Sequence, residues 1–354
     1  MPEAADDGIE GLEPEKDIGP RRLTRASRRC DHARRRTNAV QPRLNPADTP
    51  DRTATHGRPL TPSPGISAVF LIIGLVVVIG SVIGGYVMHH GKLPVLWQPT
   101  EFIIIVGAGI GSMIVSNPPA LLKHIMAGIM GLLKPNPFNK KAYGELLQVL
   151  FQIFNKARKD GLVGLESHIE DPSKSDIFSK YPGFMHHHHA VALLADTLKV
   201  LLTGTIEDHN LAEILDMDLD QHHHEADQVP TAVAAVGDAM PAFGIVACVL
   251  GVINTMGSIG GPPSELGEKV AAALVGTFVG ILLAYGLFSP MATAIKGRNA
   301  SEHAYLMCIK TALLSFARGD APMTAVEFAR RNIEPGDRPT FAELEELAKA
   351  AKAA

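Results

Sequence analysis

A small set of residues in this chain of 354 has a type and spacing suited to chemistry. Thr277 is the polar side chain near the middle of the last long apolar run. A hydroxyl there either bonds back to its own helix carbonyl or stands beside a carboxylate that a partner supplies. Pro241, in GDAMPAFG, and Pro290, in GLFSPMAT, lie at the ends of the last two runs. Each interrupts a helix ladder, and neighbouring groups in a membrane bundle can satisfy the freed carbonyls. As a pair at one level they are either static kinks or a hinge that carries change from membrane to cytoplasm. Arg158 and Glu166 flank Gly161 and Gly164; read alone, they are solvated surface charges. The histidine runs at 186–189 and 222–224 invite a metal. Consecutive histidines on a helix point apart, however, and no i, i+4 pair or nearby cysteine completes a site, so no metal is expected. No nucleophile elbow, phosphate loop, dinucleotide fingerprint or zinc signature is present. The expectation is a protein that is not an enzyme, with no catalytic residue and no cofactor.

The elements that must position these residues are membrane helices. A bilayer core needs about 20 apolar residues of helix. Residues 65–88, 102–122, 239–264 and 270–295 are four uncharged runs of that order, although Asn117-Pro118-Pro119 should end the second early. The predicted fold class is therefore all-α: a polytopic membrane protein with four transmembrane helices and a large helical cytoplasmic loop. The expected organisation is a tail over 1–64, helices 1 and 2 over 65–118, a cytoplasmic helical domain over 119–229, helices 3 and 4 over 230–295, and a C-terminal cytoplasmic helical tail over 296–354.

Charge gives the orientation. Of 33 Lys and Arg, only Lys92 and Lys269 fall in the two short loops; the leading tail holds 12 and the 119–229 segment ten. The positive-inside rule then places both termini and the 119–229 loop in the cytoplasm. A net charge of −4 offers no global basic field for nucleic acid. Cys30, Cys248 and Cys308 are too few and scattered for a disulfide framework, which fits a reduced compartment. The leading tail, with nine prolines in 64 residues and a block of arginines, should be disordered and able to touch anionic lipid. In the cytoplasmic segment, Asn139 is placed to cap a helix that runs out near Gly161, and a second helix is expected over 189–203.

Two features of the spans bear on function. Small residues recur at helical spacing: Gly80 and Gly84, Gly107 and Gly111, and the stripe Ala272, Gly276, Gly280 and Ala284. Such stripes let backbones approach closely in lipid, either within one chain or between copies. In addition, no ionisable residue lies in the middle of any run. A proton path through a bilayer normally needs one, so either the chain moves no protons or a partner supplies the carboxylate.

The runs VGDAMPAFGIVACVLGVINTMGSIGG and ELGEKVAAALVGTFVGILLAYGLFSPMAT closely resemble the stator A-subunit family of the bacterial flagellar motor. This is the motility protein A (MotA) branch of the MotA/TolQ/ExbB proton channel family. YVMHHGKLPVLWQPTEFIIIVGAGIGSMIVSN, ARKDGLVGLESHIEDPSKSDIFSKYP and LLSFARGDAPMTAVEFARRNIEPGDRPTFAELEE extend the likeness over about residues 65–346. The resemblance implies a proton-driven torque generator of the bacterial inner membrane, used for motility and chemotaxis. It implies five A subunits around two B subunits, whose single spans carry the proton-binding Asp. Arg158 and Glu166 match the charges that work against the rotor protein FliG, Pro241 and Pro290 the coupling prolines, and Thr277 the threonine lining the proton path. Cys248 stands where sodium-driven relatives carry a threonine, and its sulfur is a poor ligand for a hard cation, so protons are the expected ion. The alternative is an ExbB/TolQ-type energiser of outer-membrane transport or envelope function, a class that usually has three spans and lacks the charged rotor-facing motif.

Overall fold

Uncharged runs bounded by Pro, Gly or Asn become helices because in lipid only a helix satisfies its own backbone. The computed structural model describes residues 68–204 and 206–353; the leading tail, with its arginine block, lies outside the described residues. The first span is α1 (Ala68–Met88). A short turn at Leu93–Leu96 leads to α2 (Pro99–Ser116), which has Pro in its first turn. Asn117 ends α2 as the sequence expects, its Nδ2 donating to the Met113 carbonyl at 2.8 Å. Next come α3 (Pro119–Gly131) and α4 (Lys140–Asp160). Asn139 caps α4 as expected: its Oδ1 accepts from the backbone N–H of Lys141 at 3.0 Å and of Ala142 at 3.2 Å. Gly161 terminates that helix. Then follow α5 (His188–Leu202), α6 (Asp208–Met256) and α7 (Pro263–Leu283). The chain ends in α8 (Ser289–Ala317), α9 (Pro322–Asn332) and α10 (Phe341–Ala353). The described residues contain no strand. Among the described residues, four stretches are long and apolar enough to cross a membrane, beginning at Phe70, Leu93, Asp208 and Pro263. The fold is that of an all-α polytopic membrane protein with a large helical segment.

Two of these stretches outrun any bilayer. The 49 residues of α6 make a rod of about 74 Å against a hydrocarbon core of about 30 Å. α7 and α8 are likewise joined without a loop, through a π-helical turn at Ala284–Phe288, into 55 residues of unbroken helix. The widened turn lies directly before Pro290. Proline cannot donate to the carbonyl four residues back, that of Gly286, and a π turn is one of the ways a helix absorbs such a fault.

Ile125 and Leu132 of the 119–229 segment are buried with Val229, Val233 and Ile295 in one cluster, whereas residues 138–219 and 305–344, away from the spans, share a separate core. Leu146, Leu150 and Phe154 of α4, Leu194 and Leu198 of α5, and Tyr305, Ile309 and Leu313 of α8 are all buried in it. The rings of Phe154 and Phe316 stack with centroids 4.5 Å apart. Burial in this core pushes the Cys308 thiol up to about 12, so it is an inert packing group at neutral pH. α1 is the opposite case. Phe70, Ile72, Ile73, Val76 and Val77 are exposed, and the helix leans on the π turn, where Val78 approaches Gly286.

Candidate functional site

The membrane hairpin of α6 and α7 is made by glycine. Gly244 and Gly280 face each other so closely that a Cβ on Gly280 would sit 2.6 Å from the Met240 carbonyl oxygen and 3.0 Å from the Gly244 Cα. A Cβ on Gly244 would sit 2.8 Å from the Gly276 carbonyl oxygen and 3.2 Å from the Thr277 Cα. The small-residue stripe of the last span is therefore consumed within one chain: Ala273, Gly276, Gly280 and Ala284 are buried, whereas Ala272 is only half-buried. Gly80, Gly84, Gly107 and Gly111 meet nothing within 4 Å.

This packing fixes Thr277 beside the α6 backbone, half-buried. Four other helical threonines, Thr197, Thr255, Thr293 and Thr311, donate their hydroxyl to the carbonyl four residues back, at 2.6–3.0 Å. Thr277 makes no such bond, nor any other to a described residue. Thr100, Thr231 and Thr324 also lie in helices without that bond; Thr277 differs in standing half-buried beside the α6 backbone within the span.

Glu101 is the residue that sequence reading missed. It stands one residue before the uncharged run 102–122, yet it lies within the first turn of α2 and is only 7% exposed. Its Oε2 has no hydrogen-bond partner among the described residues. That oxygen lies 2.7 Å from where a Cβ on Gly276 would be, and Oε1 lies 3.7 Å from the corresponding position on Gly251. The glycines leave the space that the carboxyl fills. Cys248 belongs to the same layer: it is half-buried, and its backbone nitrogen is 3.2 Å from the Gly276 Cβ position. A buried ionisable group without a partner inside a span is costly, and such groups are read as functional by default. No local signal in the sequence marks it, because the gap it fills is left by Gly251 and Gly276 on two other helices.

The two prolines occupy one level. Pro241 leaves the Gly237 carbonyl without its usual donor, and a Cβ on Gly237 would stand 2.8 Å from the Phe288 Cβ and 3.8 Å from the Ala284 carbonyl oxygen. The faulted turn of α6 thus packs against the π turn that precedes Pro290. Pro290 itself also lines a cavity of about 230 Å³ beneath α1, with Phe70, Leu71 and Gly74.

Arg158 and Glu166 are both exposed, and neither makes an ion pair or hydrogen bond to a described residue. Nearby charges do pair, as in Lys156–Asp160 at 3.5 Å. Arg158 ends α4, and Glu166 opens the short helix Glu166–Glu170. The reversal between them rests on Gly161 at φ +76°, ψ 168°, a region open to glycine alone. The 3₁₀ turn Leu162–Leu165 follows, anchored by buried Leu165 and Ile169. Both charges therefore stand on a rigid support with no internal partner.

Residues 72–161 match the motility protein A N-terminal family, and residues 187–307 the MotA/TolQ/ExbB proton channel family. Among curated relatives, Motility protein A of Escherichia coli (strain K12) is 40% identical over 282 residues, covering 80% of this chain and 96% of its own. Chemotaxis protein LafT of Vibrio parahaemolyticus is 33% identical over 273 residues, 77% of this chain and 96% of its own. Of solved structures, C. jejuni MotAB superposes with a TM-score of 0.62 at 18% identity, covering 77% of this chain and 98% of that one. The flagellar MotAB stator complex from Bacillus subtilis gives 0.56 at 21% identity, over 72% and 92%. At those identities the structures attest the fold.

Proposed function

The chain belongs to the motility protein A family, and we propose that it is the A subunit of a flagellar stator, turning proton flow into torque for motility and chemotaxis. The unbonded Thr277 hydroxyl carries this reading. A hydroxyl not bonded to its own helix, half-buried beside the α6 backbone in the layer that Glu101 also reaches, is fitted to a carboxylate brought by another chain. The similar solved structures are MotAB complexes, which supports a B-type partner and an oligomeric assembly in the inner membrane. Five A subunits around two B subunits is the arrangement we infer. Motility protein relatives and the match to the motility protein A N-terminal family favour this reading over an ExbB/TolQ-type energiser.

Protonation of the partner's Asp removes a charge next to Thr277 and changes how that helix seats on α7. Cys248, in the same layer, offers no hard oxygen to a sodium ion, which favours protons. Pro241 and Pro290, where both ladders are faulted, are the bending level, and the unbroken helices carry the displacement to the cytoplasmic core. Arg158 and Glu166, left without internal partners, meet complementary charges on the rotor protein FliG. Both termini and the 119–229 segment lie on that cytoplasmic side, in keeping with the Lys and Arg distribution.

Deleting the gene is expected to leave cells with complete but motionless filaments, and this chain restores rotation in tethered cells. Normal rotation with impaired outer-membrane uptake would overturn the stator reading in favour of the envelope energiser. Glu101 extends the path on the side opposite the cytoplasm, as an inlet carboxyl that passes protons towards the Thr277 layer. Glu101→Gln keeps size and removes the exchangeable acid. The expectation is a fall of about tenfold or more in proton uptake by vesicles carrying the complex, at unchanged protein level, with partial activity in Glu101→Asp. Full uptake in Glu101→Gln would remove Glu101 from the path.

A further inference from the structure

The two histidine runs, 33 residues apart in the chain, meet in space. One member of each faces the other, with a carboxylate from a third helix closing the group. His222 Nε2 of α6 lies 2.7 Å from His189 Nδ1 of α5. His189 Nδ1 lies 3.1 Å from Glu302 Oε1 of α8, and the third edge, His222 Nε2 to Glu302 Oε1, is 3.6 Å. We propose that His189, His222 and Glu302 form a binding site for one divalent transition-metal ion of the zinc class, which staples α5 to the two long helices.

The geometry suits the ion. Metal–nitrogen and metal–oxygen bonds of about 2.0–2.2 Å in a tetrahedron require donor atoms about 3.3–3.5 Å apart. The three donor atoms already form a triangle of nearly that size, and each needs to shift by only a few tenths of an ångström. Two imidazoles and one carboxylate are a zinc donor set that leaves the fourth position open, and imidazole ligation selects zinc and its neighbours over magnesium or calcium. The side chains of His222 and Glu302 are 20% and 29% exposed, while that of His189 is 64% exposed, so an ion can enter from the His189 side.

The surroundings hold more polar atoms than the chain can pair. His222 Nδ1, His223 Nδ1, His303 Nδ1 and Asp227 Oδ1 are buried without hydrogen-bond partners among the described residues. The rings of His223 and His303, the residues that follow His222 and Glu302 on the same two helices, lie 5.1 Å apart. Such a surplus is unusual for a folded interior, and it clusters where the three helices converge.

The test uses the full chain, purified in detergent through a tag without histidine, stripped with a chelator and dialysed against micromolar zinc chloride. One zinc per chain by mass spectrometry is expected. His189→Ala, at an exposed position, and Glu302→Gln should each weaken zinc binding by at least tenfold. His186→Ala and His224→Ala, from the same runs but outside the triangle, should keep it. Cobalt(II) in place of zinc should give visible bands of a four- or five-coordinate ion that vanish in His189→Ala. A stripped chain that takes up no zinc, or equal loss in His186→Ala and His189→Ala, would overturn the site. If Glu302→Gln is poorly folded, the exposed His189 variant alone decides.

Discussion

Thr277→Val should give a chain that inserts and accumulates normally but drives no rotation. Valine copies the shape of threonine without the hydroxyl, and in lipid the loss of an unbonded hydroxyl carries no folding penalty, because Thr277 has no internal partner to orphan. What disappears is the one polar atom at that level of α7 available to another chain. Rotation speed in tethered cells should fall by at least tenfold, with immunoblots unchanged, while Thr277→Ser, which keeps the oxygen, retains most of it. Wild-type speed in Thr277→Val would mean that the hydroxyl is idle and that the partner's carboxylate sits elsewhere.

Gly280→Val should act on a different link, the fold. Its side chain would have to occupy the space of the Met240 carbonyl and the Gly244 Cα. Both are backbone atoms of α6 and cannot swing aside as a side-chain tip could. Overpacking a tight interior costs about 1–3 kcal/mol even where side chains yield. Here the helices themselves must separate, so the expected cost lies at or above the top of that range and the protein should fail to accumulate. Gly267→Ala, where nothing lies within 4 Å, is the control and should be silent. Normal abundance of Gly280→Val, measured by quantitative blotting of membranes, would contradict the tight hairpin.

The contrast between these positions marks what a sequence can and cannot disclose. Uncharged length revealed the four spans, because the bilayer imposes it on each span separately. The Asn139 cap and the Gly161 stop were legible for the same reason: each is satisfied within a few residues. Thr277, Pro241 and Pro290 could be singled out because a hydroxyl or a missing N–H is unusual wherever it falls in an apolar helix. Partnering across distance was not legible. The glycine stripe announced a close approach but not its object, and the structure spends it inside the α6–α7 hairpin. Glu101 reads as an ordinary acid in a first helical turn, favourable to the helix dipole. Only the gap left by Gly251 and Gly276, 150 and 175 residues further on, makes it a buried carboxyl. His189, His222 and Glu302 belong to three helices, and no local spacing rule could have joined them.

The position of Pro241 within α6 has a mechanical consequence. From Asp208 to the proline the helix runs about 50 Å, and from the proline to Met256 about 24 Å. Pro230, eleven residues earlier, faults the longer arm as well; with Pro241 as the pivot we propose, the helix is a lever divided about a third of the way along. A tilt that moves the membrane end by one ångström sweeps the far end through about two. No loop intervenes between the two ends, so Pro230 is the further place where that travel can be taken up. The gain is set by where the proline stands, so moving it along the helix would change the gearing without touching either end.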